Sequence, residues 1–192
     1  NISFNNMTSF ETVNSNGIGV QYGSSSDSNY QSHNTIQVNG TGAYGIYFNG
    51  GTNNLVEHDN VSAPGASDIR INDGTGTVTN TTFDKMDISF QSGATGSIYV
   101  KEYISVNTTN SSGQATNVNV TTYNTSNLKE VTTLSDSNGL ALHHVIDFWI
   151  NSSDTIYSTP HNVTVSLSGF GSNETTVNVT HTNSTNVTLT LD

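Results

Sequence analysis

Short apolar runs, two or three residues long and set between Asn, Gly, Ser and Thr, recur through the first ninety or so positions of the chain. Gly17-Ile18-Gly19-Val20 is echoed by Gly45-Ile46-Tyr47-Phe48, Asp68-Ile69-Arg70-Ile71 and Asp87-Ile88-Ser89-Phe90, at intervals of about 28, 23 and 19 residues. A second strand per repeat reads from Thr35-Ile36-Gln37-Val38, Asn54-Leu55-Val56-Glu57 and Thr77-Val78-Thr79. Period-two alternation over runs this short predicts strands. Strands returning every ~20–28 residues predict a solenoid in which each coil rests its inward Val, Ile and Phe on the next. Asn and Gly at the run ends supply the left-handed backbone that tight corners need. No window sustains an apolar i, i+3, i+4 stripe, and Leu and Ala are sparse, so the pattern excludes an α-helical fold.

From about Ser97 the period changes. Seven longer strands are predicted at 97–106, 116–123, 128–134, 140–150, 161–167, 175–180 and 186–191, joined by turn sequences such as Ser112-Gly113, Asp136-Ser137-Asn138-Gly139 and Ser168-Gly169. That spacing predicts a β-sandwich. The expected organisation is all-β: parallel β-helix coils over 1–96 and an Ig-like β-sandwich over 97–192. Trp149, Phe148, Tyr157, Phe170 and Tyr123 are the expected sandwich core, whereas Tyr22, Tyr30, Tyr44 and Tyr47 are expected at coil corners or against a neighbour.

The segment NTIQVNGTGAYGIYFNGGTNN resembles the right-handed parallel β-helix repeat of archaeal and bacterial surface proteins, shared with pectin-lyase-like enzymes and NosD-type periplasmic proteins. The run ISVNTTNSSGQATNVNVTTYN, followed by TTLSDSNGLA, resembles carboxypeptidase-regulatory-like and bacterial Ig-like modules. YSTPHNVTVSLSGFGSNETTVNVT is similar to the ending of archaeal surface proteins in which such a module follows a β-helix. The resemblance implies a role in the cell envelope, as part of an S-layer, sheath or surface filament.

Charge narrows the partners. Only 10% of residues are charged, and the net charge is −11, with Arg70, Lys85, Lys101 and Lys129 the whole basic set. A chain without a basic cluster cannot neutralise a phosphate backbone, which excludes nucleic acid and disfavours anionic membranes. Cysteine is absent, which removes disulfides, thiolate metal sites and Cys nucleophiles. The longest apolar run, Val145 to Ile150, is interrupted by Asp147, far short of a membrane helix. Without an initiator Met or a signal-peptide pattern, the chain reads as a mature or excised segment.

Asn-x-Ser/Thr recurs at Asn1, Asn6, Asn39, Asn60, Asn80, Asn107, Asn110, Asn119, Asn124, Asn151, Asn162, Asn173, Asn178, Asn183 and Asn186. This is about twice the chance frequency for such a composition and points to an extracellular, N-glycosylated surface protein. Asn107, Asn110, Asn124, Asn151, Asn173 and Asn183 are expected near strand ends or loops and are the better acceptors. Asn39, Asn60 and Asn80 are expected at coil corners, where Asn also shapes the backbone. Asn119, Asn162 and Asn178 are expected inside sandwich strands.

Other chemistry is thinner. Glycoside hydrolysis needs two carboxylates several ångströms apart. Asp68, Asp73, Asp84 and Asp87, with Arg70 and His58, are the candidates; Asp68 and Asp87 share a strand-start position and would lie one coil apart. His33, His58, His143, His144, His161 and His181 are scattered, and His143-His144 point to opposite faces of one strand, so they cannot ligate one metal together. Asn72-Asp73-Gly74 and Asp136-Ser137-Asn138-Gly139 resemble fragments of calcium loops without the closing Glu; they leave room for one Ca²⁺, and no other cofactor is implied.

A solenoid of so few coils leaves strand edges open at its ends; the sandwich can cap one, while the chain starts on repeat-like sequence, NISFNN, with no cap, so either the protein extends upstream or another subunit covers that end. The expectation is therefore a non-enzymatic, self-assembling cell-surface subunit, joined head to tail or in a lattice. The alternative is a pectin-lyase-like protein that binds or degrades polysaccharide.

Overall fold

The computed structural model describes residues 2–3, 6–10, 17–179 and 185–191. Its architecture is all-β, with several sheets of which none closes on itself and no α-helix among the described residues. Among the described residues no helix is long and apolar enough to cross a membrane. The chain divides into two compact units, one formed by 1–100 with 149–156 and the other by 101–148 with 157–192.

The first unit holds β1 (Ile2–Ser3), β2 (Asn6–Phe10), β3 (Ile18–Tyr22), β4 (Tyr30–Ser32), β5 (Thr35–Asn39), β6 (Tyr44–Phe48), β7 (Asn54–Glu57), β8 (Asn60–Ser62), β9 (Ser67–Ile71), β10 (Thr75–Thr79) and β11 (Ile88–Phe90). They sort into three parallel ladders: β1-β4-β7-β10, β2-β5-β8 and β3-β6-β9-β11. Each ladder takes one strand in three, so the chain passes through all of them before returning one rung higher. Register pairs Val20 with Ile46, Ile46 with Ile69 and Ile69 with Ile88. Three strands per rung replace the two expected. Thr35–Asn39 and Asn54–Glu57, read above as equivalent, belong to different ladders. Two of the missed strands, β4 and β8, are only three residues long, too short to show apolar alternation, as in Tyr-Gln-Ser of β4.

From β3 onward, alternate side chains of the strands point inward and meet those of the neighbouring ladders. Ile36, Ile46, Phe48, Val56, Ile69, Ile71 and Val78 are completely buried. Corners are turned by left-handed residues: Ser28 and Asn53 after one ladder, His33, His58 and Asn80 after another. In the same connection as Asn53 and its counterparts on the next rungs, the backbones pack too closely for any side chain. A Cβ on Gly74 would lie 2.6 Å from the Gly50 carbonyl oxygen, and one on Gly96 would lie 2.3 Å from that of Gly74.

Polar groups also stack inside. The Tyr22 hydroxyl donates to Gln31 Oε1 (2.7 Å), and the Gln31 amide donates to Asp59 Oδ2. The Asn34 backbone N–H and Nδ2 both donate to Asp59 Oδ1, at 2.7 and 3.1 Å. Burial raises the Asp59 carboxyl above its ordinary range although Asn34 and Gln31 donate to it. The same burial, with Asp59 adding to it, raises the Tyr22 phenol.

The second half carries β12 (Ser97–Asn110), β13 (Gly113–Gln114), β14 (Asn119–Tyr123), β15 (Lys129–Leu134), β16 (Leu140–Asn151), β17 (Thr155–Tyr157), β18 (His161–Leu167), β19 (Gly171–Val177) and β20 (Thr185–Leu191). One antiparallel sheet runs β15-β14-β18-β19, while β12 pairs β20 in parallel. Strands of both sheets supply one core: Ile104, Val106, Val118, Val120, Ala141, Val145, Val163, Val165, Val177, Leu189 and Leu191. This corrects the expected aromatic core. Of the five aromatics only Phe148 is buried; Tyr157 is 53% and Phe170 38% exposed, and Trp149 and Tyr123 are partly covered. The β-branched residues facing inward fill the space between the sheets, so the rings are left at strand ends and turns.

Candidate functional site

The sequon asparagines separate by what their side-chain oxygens and nitrogens do. In Asn110-Ser111-Ser112, Asn124-Thr125-Ser126 and Asn151-Ser152-Ser153, Asn Oδ1 accepts the backbone N–H of the sequon's own third residue, at 2.9, 3.0 and 2.8 Å. Such Asx turns fix χ1 and χ2 through the oxygen. The Nδ2 group, the atom that would carry a glycan, donates to no described residue at these three sites. All three lie where a strand ends in a turn, because the Asx turn itself breaks the ladder.

Elsewhere the nitrogen or the backbone is engaged. Asn173 donates Nδ2 to the Thr190 carbonyl (2.9 Å), and Asn80 Nδ2 meets His58 Nδ1 (2.9 Å) at a left-handed corner. Asn107 stands inside β12, opposite Thr188, and so departs from its expected place at a strand end: β12 runs on to Asn110. Asn60 is the exposed first residue of β8 rather than a corner, and Asn39 ends β5. Asn119 opens β14 and Asn178 follows β19; both are exposed, as is Asn186 in β20. Asn162, in β18, is partly buried with its Nδ2 3.4 Å from Glu174. Asn6 is placed in β2. Asn1, Asn183 and His181 lie outside the described residues.

The carboxylates of the first unit act on the backbone. Asp68 is buried; its Oδ1 accepts from Ala63 N (2.6 Å) and its Oδ2 from Asp84 N (2.7 Å). Burial raises its carboxyl despite these bonds, with the charges of Asp87 and Asp84 adding to the rise. Asp87, the last residue of a short 3-10 turn, precedes Ile88, the register partner of Ile69, so Asp68 and Asp87 each stand one residue before a paired position of β9 and β11. Asp84 caps the short 3-10 turn Lys85–Asp87 through Met86 N, and Asp73 accepts from Thr95 Oγ1 (3.1 Å).

The histidines do not converge. His33 and His58 stack with ring centroids 4.8 Å apart. His143 is buried on β16, with Nδ1 2.7 Å from Thr122 Oγ1 and Nε2 2.9 Å from Thr133 Oγ1. His144, on the exposed side of the same strand, meets the edge of Tyr103. His161, fully buried, faces Glu130 at 3.1 Å. Among the described residues no three His, Cys, Asp or Glu side chains are grouped to hold a metal. At the Asp136 turn, Oδ1 accepts from Asn138 N (2.8 Å) and Leu140 N (2.9 Å); the Leu140 bond and then the Asn138 bond hold its carboxyl below the usual range.

No protein family matches the chain. No curated protein matches it either.

Proposed function

We propose that this chain is a non-enzymatic structural subunit of an extracellular assembly, an N-glycosylated component of a cell-surface layer, sheath or filament. In this reading the three parallel ladders are coils of a right-handed β-helix, followed by an Ig-like β-sandwich, as in archaeal-type surface proteins. The observation that carries it is the stack of parallel ladders, in which Val20, Ile46, Ile69 and Ile88 follow one another in register. The edge of such a ladder is a template on which a further strand, of this chain or of a second copy, adds in the same register. The three Asx-turn sequons support the extracellular part of the proposal, since each presents an unengaged amide at a strand end.

Sedimentation and electron microscopy of native material test the assembly. Regular filaments or a lattice are expected. A monodisperse monomer at high concentration, with rapid amide exchange over Asn6–Phe10, would sink it.

A further inference from the structure

The first and last described strands of the second unit lie side by side and run the same way. Seven residue pairs join β12 to β20 in unbroken register, from Ile104 with Thr185 to Asn110 with Leu191. No tight turn can close a parallel pair, and here β16 and the whole β15-β14-β18-β19 sheet lie between the two strands in the chain. Tension that enters ahead of β12 and leaves beyond β20 therefore pulls the strands along their own length in opposite directions. All seven pairs are then loaded at once, whereas force applied at one end of the ladder would peel them singly.

Several contacts oppose the slide. On the inner face Ile104, Val106, Leu189 and Leu191 are buried in the core that both sheets supply, so a moving strand must drag them past close-packed neighbours. On the outer face the Thr109 and Thr190 hydroxyls share a hydrogen bond of 2.9 Å. Buried Thr108 pins β12 in place. Its backbone N–H donates to the Gly139 carbonyl (2.7 Å), and its hydroxyl reaches the carbonyls of Ala115 and Gly139 (2.6 and 2.8 Å). β16 flanks β12 as a further neighbour in the sheet. By contrast, β20 has β12 as its one ladder partner among the described residues, with Asn173 Nδ2 tied to the Thr190 carbonyl beside it. Axial load is thus resisted chiefly where β20 meets β12.

We propose that the second unit is a tension-bearing module and that the β12–β20 ladder is its shear clamp. The clamp follows from the ladder itself and stands whether or not the chain polymerises.

The chain has no cysteine, so pairs of introduced thiols define where handles attach for optical-tweezers measurements on the otherwise intact protein. Handles at Lys101→Cys and Asp192→Cys load the ladder in shear. Handles at Ser111→Cys and Asp192→Cys open the same ladder from one end. At equal loading rate the shear pair should need at least about twofold more force, because rupture is set by the unfolding barrier and the pairs must fail together. Alternate N–H groups of a strand face opposite sides, so one of Val187→Pro and Thr188→Pro deletes a ladder bond. That variant should lower the shear force towards the peeling value. Equal forces in the two geometries, or a shear force that neither proline lowers, overturns the proposal. If the proline variants fail to fold, the comparison of the two attachment geometries decides alone.

Discussion

His33 and His58 stack one rung apart, and both hold left-handed backbone, at φ 58° and 56°. Asn80 occupies the same corner on the following rung, at φ 43°, and its side-chain amide meets His58 Nδ1. A column of imidazole, imidazole and amide therefore lines one corner of the ladders. Asn and His are among the few L-residues that tolerate this backbone, because their short polar side chains bond locally.

His58→Val should accordingly cost about 2 kcal/mol or more, from a β-branched residue forced to positive φ together with the lost bond to Asn80. His58→Asn should stay within about 1 kcal/mol of the native protein. Urea denaturation of the two variants measures the difference, and equal losses would show that the corner conformation is not what selects the residue.

Asp59 is the acceptor on which the Gln31 amide and both Asn34 donors converge. Asp59→Ala orphans buried donors, so a loss of about 2–4 kcal/mol is expected. Exposed Asp27, which accepts from Thr52 in a comparable contact between rungs, should cost under about 1 kcal/mol when changed to Ala.

Gly74→Ala places a methyl group 2.6 Å from the Gly50 oxygen and 3.0 Å from its nitrogen. Neither atom belongs to a side chain that can swing away, so the rungs must separate locally. The expected loss is about 2–3 kcal/mol. Gly93→Ala, where nothing lies within 4 Å but φ is +79°, isolates the backbone-strain part at about 1 kcal/mol.

Burial, with His144 adding to it, pushes the His143 imidazole down to about 4 from 6.5. The unfolded chain therefore takes up a proton near pH 6.5 that the folded chain refuses until about pH 4. Stability falls as the pH drops through this window and levels off below it. Asp59 and Asp68, raised by burial, work in the opposite sense, because the fold favours their protonated forms as the pH falls through their raised values. Thermal melts of His143→Gln against the native protein between pH 7 and 4 should show a shallower decline in the variant; parallel curves would rule out His143 as its source.

Site-resolved mass spectrometry of glycosylated material should find Asn110, Asn124 and Asn151 occupied more fully than Asn80 or Asn173, whose Nδ2 groups are engaged. Ser126→Ala should remove the glycan at Asn124 alone. Glycans confined to Asn80 and Asn173 would refute the Asx-turn criterion, and their complete absence would refute glycosylation.

The all-β class was legible in the chain because Ile, Val and Phe alternate with polar residues in the echoed runs, and these became β3, β6, β9 and β11. The strand β4 was hidden for a physical reason. Its inward residue is polar: Gln31 is buried, and no hydrophobic alternation can report a side chain stabilised by hydrogen bonds. The corner histidines were equally silent, since positive φ is a backbone state that His adopts without a sequence motif. Among the sequons, spacing alone could not distinguish Asn124 from Asn107. One bends into an Asx turn, while the other lies within a strand that runs on to Asn110, beyond the Val106 where its apolar pattern stopped.

Parallel pairing has a further consequence. Every strand in the three ladders runs the same way, so the two ends of the stack are chemically different surfaces. Two identical ends brought together would oppose antiparallel strands, whose hydrogen bonds follow another geometry. A polymer extended by continued parallel pairing would therefore possess polarity, with a leading end and a trailing end that gain and lose subunits at different rates.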